Sequence, residues 1–410
     1  MKKLLLVLLI LSLFINHLNA NEKDLQIIQK DKKEYRLLDK ESIQTRQQSQ
    51  KYDWISPIDL SGNIGRNHSF SDENSRNLNN KNTKSASIGF TQSIFESGGI
   101  GFKMDYADNI FKYEMLSWEN QNSQLIYTIY NTLLDIKKLK LEIKQNEYRI
   151  VNKDIELIIK KIQYEAGKTD IIELNNAIMS KNLILKEEIA LKNSLKEKEQ
   201  ELAKYTDLKY DEIEILDFQE TNKDIFLDKN YSILEADAKV EMLNSEYKIK
   251  KSQYLPKLSL SAKASYSSQD EKFNSMINDT NKDDATSSGS LILSMPLYDY
   301  TKSSKVQESK IEVLKQKALV NDLKNETAFE YEQIFTKIDT YLKQNETINK
   351  NIKLYEELIG ANQISSEAGM TSKYDLEILE NTKTINEFDI LINKINILQQ
   401  YAKLYFKIKN

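Results

Sequence analysis

The sequence predicts a largely helical chain with two membrane-type β-hairpins. This is an α + membrane β fold in which a helix-strand-strand-long helix-helix unit is written twice. Three observations carry that reading. The stretch Tyr164-Glu165-Ala166-Gly167-Lys168-Thr169 returns 202 residues later as Ser366-Glu367-Ala368-Gly369-Met370-Thr371. In both copies an acid stands six residues past the glycine (Glu173, Asp375) and a leucine seven past it (Leu174, Leu376). Apolar and polar residues alternate with period two at two places, Leu60 and Leu260 being 200 residues apart. Finally, only three prolines and ten glycines interrupt 410 residues, which suits very long helices.

Taken in order, Met1–Ala20 reads as a secretory signal peptide. Lys2 and Lys3 precede the apolar run Leu4–Ile15, and Leu18-Asn19-Ala20 offers a cleavage site. The run is too short to span a bilayer as a helix. Removing the two lysines takes the formal charge from -4 to -6, since -4 - 2 = -6. The first repeat, 24–205, opens with a polar helix-compatible stretch that Pro57 ends. Ile58, Leu60, Gly62 and Ile64 then alternate with Asp59, Ser61, Asn63 and Gly65. A loop rich in Asn, Ser and Asp follows over 69–84, and alternation resumes through Ile88, Phe90 and Ile94. These segments form the hairpin 56–96.

A helical hairpin is expected over 101–205. Its first helix carries Tyr127, Tyr130, Leu134, Leu141, Tyr148, Val151, Ile155, Ile158 and Ile162 at steps of three, four or seven, the spacing of a coiled-coil seam. About 65 residues at 1.5 Å each make a rod of roughly 100 Å. Gly167 is placed to end it as a left-handed cap, and the chain restarts near Asp170. After an acidic connector, 206–230, the second repeat, 231–410, runs the same programme: a helix, the hairpin 256–298 and the helical hairpin 303–408. Its long helix carries the stripe Ile334, Ile338, Tyr341, Ile348, Ile352, Tyr355 and Ile359.

Four strands cannot close a membrane barrel, and an open four-stranded sheet exposes edges. The chain therefore needs copies of itself. Two, three or four copies give eight, twelve or sixteen strands, and periodicity leaves the number open. A soluble β-domain within a secreted or surface coiled-coil scaffold or adhesin, without a pore, is the alternative.

The residues resemble the outer membrane efflux protein family, the TolC-like channel-tunnels, over essentially the whole mature chain. The carriers are the doubled order of elements and the two glycine turns. Two strand exits complete them, Ser93-Ile94-Phe95-Glu96-Ser97-Gly98-Gly99 and Met295-Pro296-Leu297-Tyr298-Asp299. The resemblance implies a homotrimer whose 12-stranded outer membrane β-barrel is continuous with a periplasmic α-helical barrel, in a Gram-negative bacterium. It implies passive conduction of small toxic molecules or secreted polypeptides, as in type I secretion. The implied partners are a periplasmic adaptor, an inner membrane transporter of RND, ABC or MFS type, and outer membrane lipid. It implies that Gly167, Thr169, Gly369 and Thr371 lie at adaptor-docking turns and that Glu173 and Asp375 line the periplasmic aperture. One turn beyond Asp375 stand Ile378 and Leu379 rather than the family's second acid. Each glycine also reads as a plain helix cap, and each acid as a partner of the helix dipole.

Catalysis is not expected. The two histidines are His17, in the signal segment, and His68, and there is no cysteine to form a disulfide or a thiolate site. No phosphate-binding or dinucleotide glycine pattern occurs, so neither cofactor nor metal is implied. No basic patch interleaved with aromatics points to nucleic acid.

Overall fold

The computed structural model describes residues 25–69, 79–216, 218, 220–270, 282–367 and 372–409. The signal segment 1–20 and the second glycine turn lie outside them. After a 3-10 turn (Leu25–Ile27), the first repeat contains α1 (Lys30–Tyr52), β1 (Asp59–Ser69), β2 (Asn79–Phe95), α2 (Gly99–Glu165) and α3 (Ile171–Leu202). The short α4 (Lys223–Asp228) lies between the repeats. The second contains α5 (Tyr231–Ser252), β3 (Lys257–Asp270), β4 (Lys282–Ser294), α6 (Lys302–Glu367) and α7 (Lys373–Tyr405). The chain divides into two compact units, one of Glu41–Met115 with Ala236–Val320, the other of the remaining segments.

The first unit holds one antiparallel sheet in the order β1-β2-β3-β4. Strands alternate faces, so register assigns each residue a side. One face carries Leu60, Ile64, Ala86, Ile88, Phe90, Leu258, Leu260, Ala262, Ala264, Tyr266, Leu291 and Leu293. The other carries Ser61, Ser87, Thr91, Ser93, Ser259, Ser261, Ser265 and Thr286. There hydroxyls bond in cross-strand pairs: Ser61 with Ser87 at 2.9 Å, Thr91 with Ser261 at 3.0 Å, and Ser265 with Thr286 at 2.8 Å. The apolar face has no cover: Leu60 is 79% and Leu293 73% exposed. Pairing extends to Ser69↔Asn79, so β2 takes in much of the segment that composition reads as loop. Asn79–Lys84 is polar on both faces, which hides a strand from a period-two test while leaving backbone pairing intact.

In the second unit, α2 is surrounded. Ile129, Leu133, Leu134 and Ile136 are fully buried, and Tyr130 stacks on Phe406 at 5.5 Å. A second cluster joins Phe226 of α4 to Ile334 and Ile338 of α6 and to Leu404 and Ile408. The chain's end is tied to the connector, where Tyr231 N–H donates to Lys407 O at 3.0 Å and Lys409 N–H to Lys229 O at 2.8 Å. Glu330 accepts from Lys407 at 2.6 Å and pairs with Lys403 at 2.8 Å. Burial alone would push its carboxyl up, but the two ammoniums hold it below the usual carboxylate range.

The long seams are laced with amides rather than uniformly dry. On α2, Gln145 donates to Asp389 Oδ1 at 2.7 Å and Asn152 to Thr382 Oγ1 at 3.2 Å, both on α7. Asn146 donates to Ile184 O of α3 at 3.2 Å, and Asn393 of α7 to Asn345 of α6 at 2.9 Å. These contacts give the layer order α3-α2-α7-α6. Tyr130, Leu134, Ile155, Ile334 and Ile338 of the expected stripes are buried, but Ile158 and Ile162 are 41% and 54% exposed.

Phe226→Ala opens a cavity in the α4 cluster and is expected to cost about 3–5 kcal/mol. Loss of the helical circular dichroism signal should come at lower denaturant than in the parent. Ile225→Ala, at the exposed neighbour, should change it little.

Candidate functional site: hairpin tips, strand exits and the polar sheet face

At the first hairpin tip, α2 ends on Glu165 and Gly167 takes φ +67°, the left-handed value that closes a helix. Its N–H donates to Tyr164 O at 3.0 Å, and Lys168 N–H donates back to Gln163 O at 2.8 Å. Nothing lies within 4 Å of where a Cβ would stand, so backbone conformation, not crowding, favours glycine. Thr169 is half-buried. Asp170 then caps α3, its Oδ1 accepting from Glu173 N–H at 2.9 Å. The second tip is capped by Ser372, whose Oγ accepts from Tyr374 N–H at 3.2 Å. Gly369 and Thr371 lie outside the described residues.

The two acids differ in company. Glu173 is exposed and meets Lys160 of α2 at 3.0 Å. Asp375 is exposed in the first turn of α7, and its side chain has no ion pair among the described residues. The 202-residue offset sets Asn362 opposite Lys160, and that amide donates to Leu358 O within its own helix at 3.1 Å. No hydrogen bond or ion pair among the described residues joins the two tips. Asp170 and Ser372 stand three residues ahead of Glu173 and Asp375, the spacing of a capping box. The Lys160 pair had no sequence signal, because it needs the two helices side by side.

At the first strand exit, Ser97 and Gly98 take φ +50° and +90°. Ser97 Oγ donates to Pro256 O at 2.7 Å, tying the exit to the start of β3. A Cβ on Gly99 would stand 2.8 Å from Ser252 Oγ, so this glycine is required by close approach. Glu96 is buried against Lys103 at 2.9 Å. Desolvation pushes its carboxyl up, and Lys103 outweighs that and holds it low. At the second exit the tie is made through Tyr254, over whose ring Lys302 lies at 5.3 Å. Asp299 accepts from Thr301 Oγ1 and N–H, both at 2.8 Å, which lowers its pKa, while Leu297 and Tyr298 are almost fully exposed.

On the polar face, Gly89 lies between Asp59 and Lys263 in one row across β1, β2 and β3. With Ser61, Ser87, Thr91 and Ser261 they line a groove of about 470 Å³. Among the described residues, no group of acids and histidines could hold a metal, and no helix is long and apolar enough to cross a membrane.

The chain thus combines an open sheet, with one apolar and one hydroxyl face, and two helical hairpins in a doubled order of elements. Residues 224–403 match the outer membrane efflux protein family. No curated protein matches the chain. Among solved structures, the outer membrane protein VceC of Vibrio cholerae is 12% identical at TM-score 0.72, covering 94% of this chain and 93% of its own. The CmeC outer membrane channel of Campylobacter jejuni is 12% identical at TM-score 0.70, covering 92% and 84%. The open MtrE outer membrane channel of Neisseria gonorrhoeae is 11% identical at TM-score 0.66, covering 94% and 87%. At these identities the likeness is one of fold, and it extends over nearly the whole chain.

Removing the cap at the first tip should loosen it locally. Asp170→Ala is expected to cost about 1 kcal/mol and Asp170→Asn much less. Amide exchange at Ile172 and Glu173 should quicken in the alanine variant only. Equal exchange in both variants would mean that the side-chain bond does not hold the tip.

Proposed function

We propose that the protein is the outer membrane channel of a tripartite export system. It passively conducts small toxic molecules or secreted polypeptides handed on by an inner membrane transporter through a periplasmic adaptor. The observation that carries the reading is the four-stranded sheet, with its bare apolar face, its hydroxyl face and its unpaired outer edges. From Leu258 to Tyr266 the apolar band spans eight residue steps. At about 3.4 Å per step and a tilt near 45° it is about 20 Å tall. That is close to the lipid-facing band of outer membrane barrels. Three copies joined edge to edge make the 12-stranded barrel, a number supported by the family likeness. The helical layer supports the same assembly. Its outer helices α3 and α6 leave Leu183 and Leu342 at least half exposed, apolar surface for neighbouring copies to cover.

The hairpin tips are then the adaptor-facing ends, with Gly167, Thr169, Gly369 and Thr371 at the docking turns. Glu173 and Asp375 belong to the periplasmic aperture with unequal weight. Lys160 offsets Glu173, so Asp375 supplies most of the uncompensated charge in a threefold ring.

Purified protein in a planar bilayer should pass current, and an absence of conductance in every variant would favour the pore-free scaffold. Asp375→Asn is expected to raise conductance several-fold and Glu173→Gln to change it less. Lys160→Gln should return charge to the first ring and lower the conductance. Equal effects of the two acid substitutions would overturn the unequal weighting.

A further inference from the structure

We infer that Lys263 makes the polar sheet face an anion-coordinating site, which receives carboxylate, sulfonate or phosphate groups of passing solutes inside the barrel. The inference rests on the channel reading above, which turns this face to the lumen.

Lys263 stands at the middle of β3, on the face whose other central residues are hydroxyls and glycine. Its side chain leans across β2. A Cβ on Gly89 would meet Lys263 Cβ and Cγ at 3.3 Å and Ala262 O at 3.0 Å. The missing side chain at Gly89 is therefore what lets the lysine stem lie over the neighbouring strand. The groove it enters is walled by Ser61, Ser87, Thr91 and Ser261. Because the hydroxyls of Ser61 with Ser87 and of Thr91 with Ser261 are already hydrogen-bonded in pairs, the ammonium is the principal donor that the open groove offers an oxyanion. Lys263 is exposed and has no hydrogen bond or ion pair of its own among the described residues.

The other charges on this face do not cancel it. Among the described side chains they are Asp59, Lys257 and Asp284. Asp59 is in the same row two strands away, about 10 Å between backbones at the usual strand spacing, and makes no ion pair with Lys263 among the described residues. Lys257 lies at the foot of β3, where it adds to the positive field on Glu96. Asp284, opposite Ser267, is four residues farther along β3, about 14 Å. At 0.15 M salt, charges beyond about 8 Å are largely screened in open solvent. A solute at mid-strand thus meets the lysine first, and threefold assembly sets three such ammoniums around one lumen.

The test is the reversal potential of the reconstituted channel in a potassium chloride gradient. Lys263→Gln should lower the chloride-to-potassium permeability ratio about two- to fivefold, as expected for neutralising a charged ring. Lys263→Arg should retain the parent ratio, and Asp59→Asn should raise it. A ratio unchanged by Lys263→Gln, with conductance intact, overturns the inference while leaving the channel reading standing. Failure of the parent protein to conduct would overturn the channel reading instead.

Discussion

The outer edges of β1 and β4 are the constraint on which the rest depends. Each inner strand has a partner on both sides, but these two present a row of backbone N–H and C=O groups with no partner in the sheet. In water such an edge invites aggregation, and in hydrocarbon each unsatisfied group costs several kcal/mol. The sheet's apolar face rules out a comfortable existence in water as well. In the proposed assembly, joining β4 of one copy to β1 of the next removes both problems together. The doubled chain then has a simple logic: one repeat makes a hairpin, two make a four-stranded stave, and in the proposed assembly copies would close the wall.

The helical unit solves a related problem with different chemistry. A helix as long as α2 cannot be held in register by apolar contact alone, because neighbouring turns of an aliphatic seam look alike. The amides of Asn146, Asn152, Gln145 and Asn393 have no such tolerance. Sliding by one turn would leave Asn152 without Thr382 and Gln145 without Asp389, and an unpaired polar group in a packed seam is costly. These residues give up hydrophobic contact for registry. Apolar burial is deepest around Leu133 and Ile136, where Gln399 of α7 still donates to Asp135 Oδ1 at 2.7 Å, and the amide lacing continues at Gln145 and Asn152.

The order of elements and the position of the first glycine turn were legible in the sequence, because each leaves a periodic or local signature. Gly167 adopts the left-handed conformation that its place after a long helical run implies. The polar ends of the strands were not legible, since Asn79–Lys84 alternates nothing. The seams were only partly legible. A heptad test finds aliphatic positions such as Leu134 and Ile338, but it is blind to which asparagine will meet which partner across 230 residues of chain, as Asn152 and Thr382 do. At the tips, the first-turn acids were visible, and the Lys160 contact that separates their environments is a property of two helices lying side by side.

The tips themselves have diverged. The first carries Lys168 before an aspartate cap, the second Met370 before a serine cap. The proposed ring of three copies would have six tips of two alternating kinds. A partner arriving with six identical contacts would fit only half of them well. A partner with threefold symmetry, or with two non-equivalent copies per protomer, would find its rotational phase fixed. In the proposed assembly, divergence between the two repeats would thus write an angular address onto the rim.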